Sequence, residues 1–225
     1  MTNGGKPNSW GRDLVVLTVL FSALFGFMLG SHTLGVPDEA RYSEIPREMV
    51  ATGDYITPRL NGVKYFEKPV LFYWLQALSI RLFGLNAWSL HLWVAFFALF
   101  GCLFVYIAGR RLFGRRAGLL SSVVLATSLL YYALSRAITL DMPVSVLITG
   151  ALLSFLLGLR ESDDRKRRWY LWAFYALAAL ATLTKGLIGI VIPGMVIGAW
   201  IIVMNEWSIL KAMYFPSGIF LFLLI

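Results

Sequence analysis

Cysteine is nearly missing from this 225-residue chain: Cys102 stands alone inside an apolar run, so no internal disulfide can form. Charge is scarce as well. Only 14% of residues are Asp, Glu, Lys or Arg, whereas 59% are hydrophobic and 15% aromatic, and the mean hydropathy is +0.73. A soluble domain carries about 25% charged residues. The combination excludes a soluble globule, a disordered chain and a disulfide scaffold. Nucleotide-cradling motifs are missing too: no G-x-G-x-x-G follows a strand-like run, and there is no P-loop. What the chain has instead is apolar sequence in long uninterrupted runs, the pattern of a polytopic membrane protein.

Stretches free of Asp, Glu, Lys and Arg cover 14–37, 82–109, 117–135, 142–159, 169–184, 186–205 and 212–225. A membrane helix needs about 20 mostly apolar residues. The first six runs therefore read as complete spans and the last, ending in FLFLLI, as a seventh cut short. The expected fold class is all-α, a polytopic transmembrane helix bundle, with residues 1–225 forming the N-terminal part of one larger membrane domain. The first run exceeds a signal-peptide core and no A-x-A-like site follows it, so it reads as an uncleaved span.

Net charge is +8, and its distribution sets the expected orientation. Twelve basic residues, among them Lys6, Arg12, Arg110, Arg111, Arg115, Arg116 and the Arg160–Arg168 cluster, fall on one side of the spans. By the positive-inside rule that side is cytoplasmic. The charge therefore belongs to membrane topology and calls for no nucleic-acid partner. Seven of the twelve acids fall on the outer side: Asp38, Glu39, Glu44, Glu48, Asp54, Glu67 and Asp141.

The outer loop 38–68 is the compositional outlier, with eleven charged residues among 31. A connection this long is functional or disordered, and its Tyr42, Ile45, Met49, Tyr55, Leu60, Tyr65 and Phe66 argue for order. Asp38 is placed to N-cap a helix running to about Met49, weakened at Pro46. On that helix Asp38, Arg41, Tyr42, Ile45 and Met49 share a face. Gly53-Asp54 and Asn61-Gly62 signal turns. Residues 70–80, VLFYWLQALSI, are too few to span and read as a helix at the outer interface, so the whole region 32–85 is expected to be an external loop carrying juxtamembrane helices.

A carboxylate at a membrane rim beside an arginine can act as a general base or bind a cation. The plain alternative for Asp38 is a helix cap, and for Glu39 and Glu44 solvated charge. Asp141, in ITLDMP, falls on the same outer side and can either cap the fourth span or join Asp38. Lys185, in the Thr184-Lys185-Gly186 turn, is the third outer element. Arg41, Arg59, Lys64, Lys68, Arg136 and Lys185 thus share the outer side with Asp38 and Asp141, where an anionic phosphate and acid/base groups can both be served.

Asp38-Glu39-Ala40-Arg41-Tyr42, the stretch GDYITPRLNG (53–62), YFEKP (65–69), ITLDMP (138–143) and TKG (184–186) resemble GT-C glycosyltransferases. The likeness is greatest to the bacterial 4-amino-4-deoxy-L-arabinose (lipid A) transferases and their relatives in the protein mannosyltransferase superfamily. It implies a multi-pass protein of the bacterial inner membrane with a cytoplasmic N-terminus and a periplasmic active site. Such an enzyme takes a sugar from a polyprenyl-phosphate donor and transfers it, typically with inversion, to a glycolipid or glycan acceptor such as lipid A. Residue by residue, Asp38 matches the essential acid, Asp141 a second acid of the cavity, Arg41 a partner orienting the carboxylates, and Lys68 a lysine near the donor phosphate. A departing phosphate needs cations, and Lys68, with Arg59 or Lys185, can supply them. Glu39 and Tyr42 become candidate substrate contacts. Glu67, a further such contact, matches a residue that helps hold a zinc ion, whose other ligands would lie beyond residue 225. The chain alone is expected to be inactive. Two alternatives stand beside this reading: a protein O-mannosyltransferase-like enzyme, and a lipid-linked-sugar transporter or flippase, which would place ionisable groups within its spans.

Overall fold

The computed structural model describes residues 9–31, 35 and 37–225. Lys6 and residues 32–34 and 36, where the expected first span ends and the outer loop begins, lie outside the described residues. In chain order the elements are α1 (Ser9–Gly26), α2 (Asp38–Thr52), β1 (Arg59–Leu60), β2 (Val63–Lys64), α3 (Leu71–Phe83), α4 (Ala87–Phe113), α5 (Arg115–Thr127), α6 (Leu129–Leu134), α7 (Asp141–Arg160), α8 (Asp164–Lys185), α9 (Ile188–Met204), α10 (Ile209–Ala212) and α11 (Phe215–Leu224). Among the described residues the fold is all-α apart from one hairpin of two-residue strands.

Among the described residues, α1, α4 and α7 are long and apolar enough to cross a membrane, and α3, α9 and α11 are shorter apolar helices. Of the six runs read as complete spans, three coincide with α1, α4 and α7, and 117–135, 169–184 and 186–205 fall in α5 with α6, in α8 and in α9. The run 117–135 divides into α5 and α6 at Ser128, whose backbone is extended. The basic cluster 160–168 is partly helical: Asp163 caps α8 by accepting hydrogen bonds from the amides of Arg165 and Lys166, at 2.8 and 3.3 Å. A side-chain oxygen there satisfies N–H groups that the first turn leaves unpaired.

Helix α1 shows how the bundle is built. Its buried residues, Asp13, Leu17, Phe21 and Phe25, recur every four positions on one face, while Val15, Val19 and Leu20 are largely exposed. That exposed apolar face suits lipid, in which a helix satisfies its own backbone. Helix α4 packs against α1, α5 and α7, and α7 packs in turn against α8 and α9. The largest core cluster joins α1 to α4 with the outer-loop residues Tyr42, Ile45, Met49, Phe72 and Tyr73, so the loop shares the bundle's core.

Small residues let α4 and α5 approach closely. A Cβ on Gly118 would lie 2.7 Å from both the Arg110 amide nitrogen and the Tyr106 carbonyl oxygen. Backbone cannot rotate away as a side chain can, so Gly118→Ala must push the helices apart. The expected destabilisation is about 1–3 kcal/mol, read as a lower unfolding midpoint of the detergent-solubilised protein. Gly114→Ala, which meets no atom within 4 Å but has φ +94°, would act through backbone strain alone.

Candidate functional site

Two helices begin on aspartates at the same end of the bundle. Asp38 is the first residue of α2 and Asp141 the first of α7. Neither is the cap that the sequence suggested: the N-cap positions are Pro37 and Leu140, and no side chain caps either helix. Both carboxylates thus escape the backbone duty that would have explained them, and each sits where the helix dipole favours negative charge. Pro46 does not interrupt α2, which continues to Thr52 and ends at Gly53, a residue with φ +75° whose amide bonds to the Met49 carbonyl at 2.9 Å.

The Arg41 guanidinium lies 3.7 Å from the Asp38 carboxylate, one turn along α2. It also donates to the Tyr65 hydroxyl at 3.3 Å, and that hydroxyl donates to Glu67 at 2.7 Å. Arg41 therefore links Asp38 to Glu67 through one phenol, a bridge that nothing in the spacing announced. Tyr42 sits beneath. Burial pushes its phenol upward, and the negative charge of Asp38 and, least of all, that of Asp141 push the same way. Its ring lies 6.3 Å from that of Tyr73, whose buried hydroxyl has no partner among the described residues.

The three expected phosphate-binding cations have different surroundings. Lys185 is ion-paired with Asp141, so the second acid and its lysine form one unit. Arg59 belongs to the hairpin, paired in register with Lys64, and its guanidinium lies 3.7 Å from Asp54. The amide of Thr57, with that of Ile56, holds the Asp54 carboxyl below its usual range. Lys68, half-buried, forms no ion pair among the described residues. Of the three it is the one whose charge is uncommitted.

Two glutamates read as solvated are engaged. Glu44 accepts a two-pronged fork from Arg47, at 2.7 and 2.6 Å, which holds its carboxyl low. Glu39, with its side chain 17% exposed, accepts the Ile138 amide at 2.8 Å and the Gly35 amide, and faces His91 at 3.8 Å. Glu48 takes the Gly62 amide on both oxygens, at 3.2 and 3.1 Å, fastening the hairpin turn to α2. Asn61 and Gly62 both have positive φ there, as the sequence Asn-Gly signals. No local pattern foretold the Glu39 and Glu48 contacts, because their partners are 99 and 14 residues away.

Glu67 is already engaged by Tyr65, and no three of His, Cys, Asp and Glu come together among the described residues. These residues do not by themselves make a zinc site, so no chemical step is routed through a metal.

A protein-family model described as dolichyl-phosphate-mannose-protein mannosyltransferase matches residues 67–225. The undecaprenyl phosphate-alpha-4-amino-4-deoxy-L-arabinose arabinosyl transferase of Edwardsiella ictaluri is 33% identical over 193 residues, covering 85% of this chain and 35% of the relative. The enzyme of the same name from Pectobacterium carotovorum is 37% identical over 180 residues, covering 79% of this chain and 32% of the relative. The crystal structure of ArnT from Cupriavidus metallidurans in the apo state superposes with a TM-score of 0.90 at 32% identity, over 96% of this chain and 41% of that one. The same protein bound to undecaprenyl phosphate gives 0.89 at 33% identity, over 97% of this chain and 40% of that one. The chain spans about a third of the length of these curated relatives.

Proposed function

The chain belongs to the dolichyl-phosphate-mannose-protein mannosyltransferase family, within the GT-C membrane glycosyltransferases, and from that premise we propose that the whole protein transfers a sugar from a polyprenyl-phosphate donor to an envelope glycolipid of the lipid A type. Residues 1–225 form the N-terminal part of its catalytic membrane domain, and 32–85 its outer loop. The observation that carries the reading is the 2.8 Å bond from the Ile138 amide to Glu39, which brings the start of α2, with Asp38 and Arg41, beside the segment that leads into Asp141 and its partner Lys185. The relatives' names supply the donor class, an undecaprenyl phosphate carrying an aminoarabinose.

The reaction forms a bond from an acceptor oxygen to the anomeric carbon and breaks the bond from that carbon to the donor phosphate. Polyprenyl phosphate leaves with the electron pair. In-line attack inverts the anomeric centre. For a hydroxyl acceptor, Asp38 takes its proton as general base. A phosphate acceptor arrives ionised, and Asp38 then orients it and stabilises the positive charge growing on the sugar. Arg41 fixes the Asp38 carboxylate. Lys68 meets the departing phosphate, where charge develops. Lys185 holds Asp141 in place and can turn toward the phosphate when the donor arrives. Glu67 and Tyr42 are candidate sugar contacts. The site faces the periplasm of a bacterial inner membrane, with the N-terminus cytoplasmic.

The test is mass spectrometry of lipid A and other envelope glycans from cells with and without the full-length gene. Loss of one sugar from lipid A is expected; loss from a protein instead would move the acceptor assignment to the O-mannosyltransferase type, and unchanged glycans would remove the transferase reading. In the same cells, cysteines introduced near residue 55 should react with an impermeant thiol reagent from outside and those near 165 only after lysis.

A further inference from the structure

We infer that Glu39 is the positioning residue that sets the two aspartates of the proposed site relative to one another. This deepens the transferase reading and rests on it. Glu39 follows Asp38 directly, and Ile138 lies three residues before Asp141. The 2.8 Å bond from the Ile138 amide to Glu39 Oε1 therefore ties the start of α2 to the segment that launches α7.

Both Glu39 oxygens are engaged. Oε1 takes the Ile138 amide, and Oε2 takes the amide of Gly35 on its own loop. An ionised carboxylate is the side chain that can accept on both oxygens at once. His91 closes the arrangement from α4. Its Nδ1 sits 2.7 Å from the Ala87 carbonyl oxygen and so donates to it, which turns Nε2 toward Glu39 Oε1 at 3.8 Å. The imidazole is almost wholly buried, with its side chain 4% exposed.

The partner segment is gripped from its other side as well. Arg136, two residues before Ile138, donates to the Leu24 carbonyl at 3.4 Å, to the Phe27 carbonyl and to the Tyr132 hydroxyl at 2.8 Å. A cation there satisfies carbonyls that α1 leaves unpaired at its C-terminus. Residues 136–138 thus lie between α1 and α2, held by one arginine and one glutamate. Each Glu39 oxygen holds a backbone amide, which fits a role through the backbone rather than the substrate contact that the resemblance suggested. It acts through Asp38 and Asp141.

The experiment uses the full-length enzyme in detergent or nanodiscs, with a polyprenyl-phosphate sugar as donor. Glu39→Ala is expected to lower kcat about 100-fold, the scale of a 1 Å misplacement of reacting groups, with the donor KM within about twofold of wild type. Glu39→Gln keeps one acceptor and loses the other, and is expected to recover about tenfold of that loss. Hydrogen exchange of peptides covering 136–142 should quicken in Glu39→Ala and stay unchanged in Asp38→Asn. A raised donor KM with unchanged kcat would make Glu39 a substrate contact and overturn the inference. A lowered melting temperature with wild-type kcat per folded molecule would make it structural only, with the same result. If the wild type transfers no sugar, the transferase reading fails and the positioning role falls with it, while the exchange data still decide whether the tie itself exists.

Discussion

Asp38→Asn is expected to lower the rate of sugar transfer by the full-length enzyme about 10³-fold and leave its folding untouched. Positioned general bases contribute about 10²- to 10⁴-fold, and the amide removes the base while keeping the shape. Little stability is at stake. The Asp38 side chain is 59% exposed, and its ion pair with Arg41 spans 3.7 Å; such exposed pairs contribute about 0–1 kcal/mol. The measurement is the initial rate with a polyprenyl-phosphate sugar donor, set beside the thermal unfolding midpoint of the same preparation. Retained transfer would end the catalytic assignment of Asp38. A parallel unfolding shift would mean that the carboxylate holds structure. Asp141→Asn should behave differently, because it also releases Lys185 from its ion pair.

The largest expected loss of stability lies at the opposite end of the bundle. Asp13, 4% exposed on the buried face of α1, accepts from Arg115 on both oxygens at 2.6 and 2.8 Å, from Arg110 at 2.7 Å and from the Tyr106 hydroxyl at 3.1 Å. The Arg110 side chain is 9% exposed and lies over the Trp10 ring, 4.0 Å from its centroid. One carboxylate thus joins α1 to α4 and α5. Asp13→Ala strands the Arg110 charge in a buried site, and breaking one partner of such a pair costs about 3–5 kcal/mol. Arg115→Ala should cost far less, because that side chain is 46% exposed and Arg110 still neutralises Asp13. Chemical unfolding of the solubilised protein would read both variants. Equal midpoints for wild type and Asp13→Ala would show that water or lipid headgroups satisfy Arg110.

The Asp13 cluster marks a limit of the sequence reading. Asp13 looked like a cytoplasmic flank, because it precedes the first charge-free run. The structure places it on the buried face of α1 with Leu17, Phe21 and Phe25, against distant arginines that the sequence did not connect to it. An ionisable group inside a membrane helix is also what a transporter would use. Here it is fully paired within one helix cluster, and so serves as a structural lock.

What the sequence by itself determined were the features that local rules encode. Charge-free runs became helices because lipid demands internally satisfied backbone. Asn61-Gly62 made the hairpin turn because glycine, and asparagine next best, tolerate positive φ. The crowding of charge into 38–68 singled out the loop whose Asp38 and Arg41 meet one turn apart. Only the tertiary structure decided the rest. It freed Asp38 and Asp141 from helix capping, paired Lys185 with Asp141, joined Arg41 to Glu67 through Tyr65, and turned Glu39 from a surface charge into a tie across 99 residues. Those outcomes depend on which helices pack side by side, and periodicity reports only which face of a helix is apolar, never which neighbour it will meet.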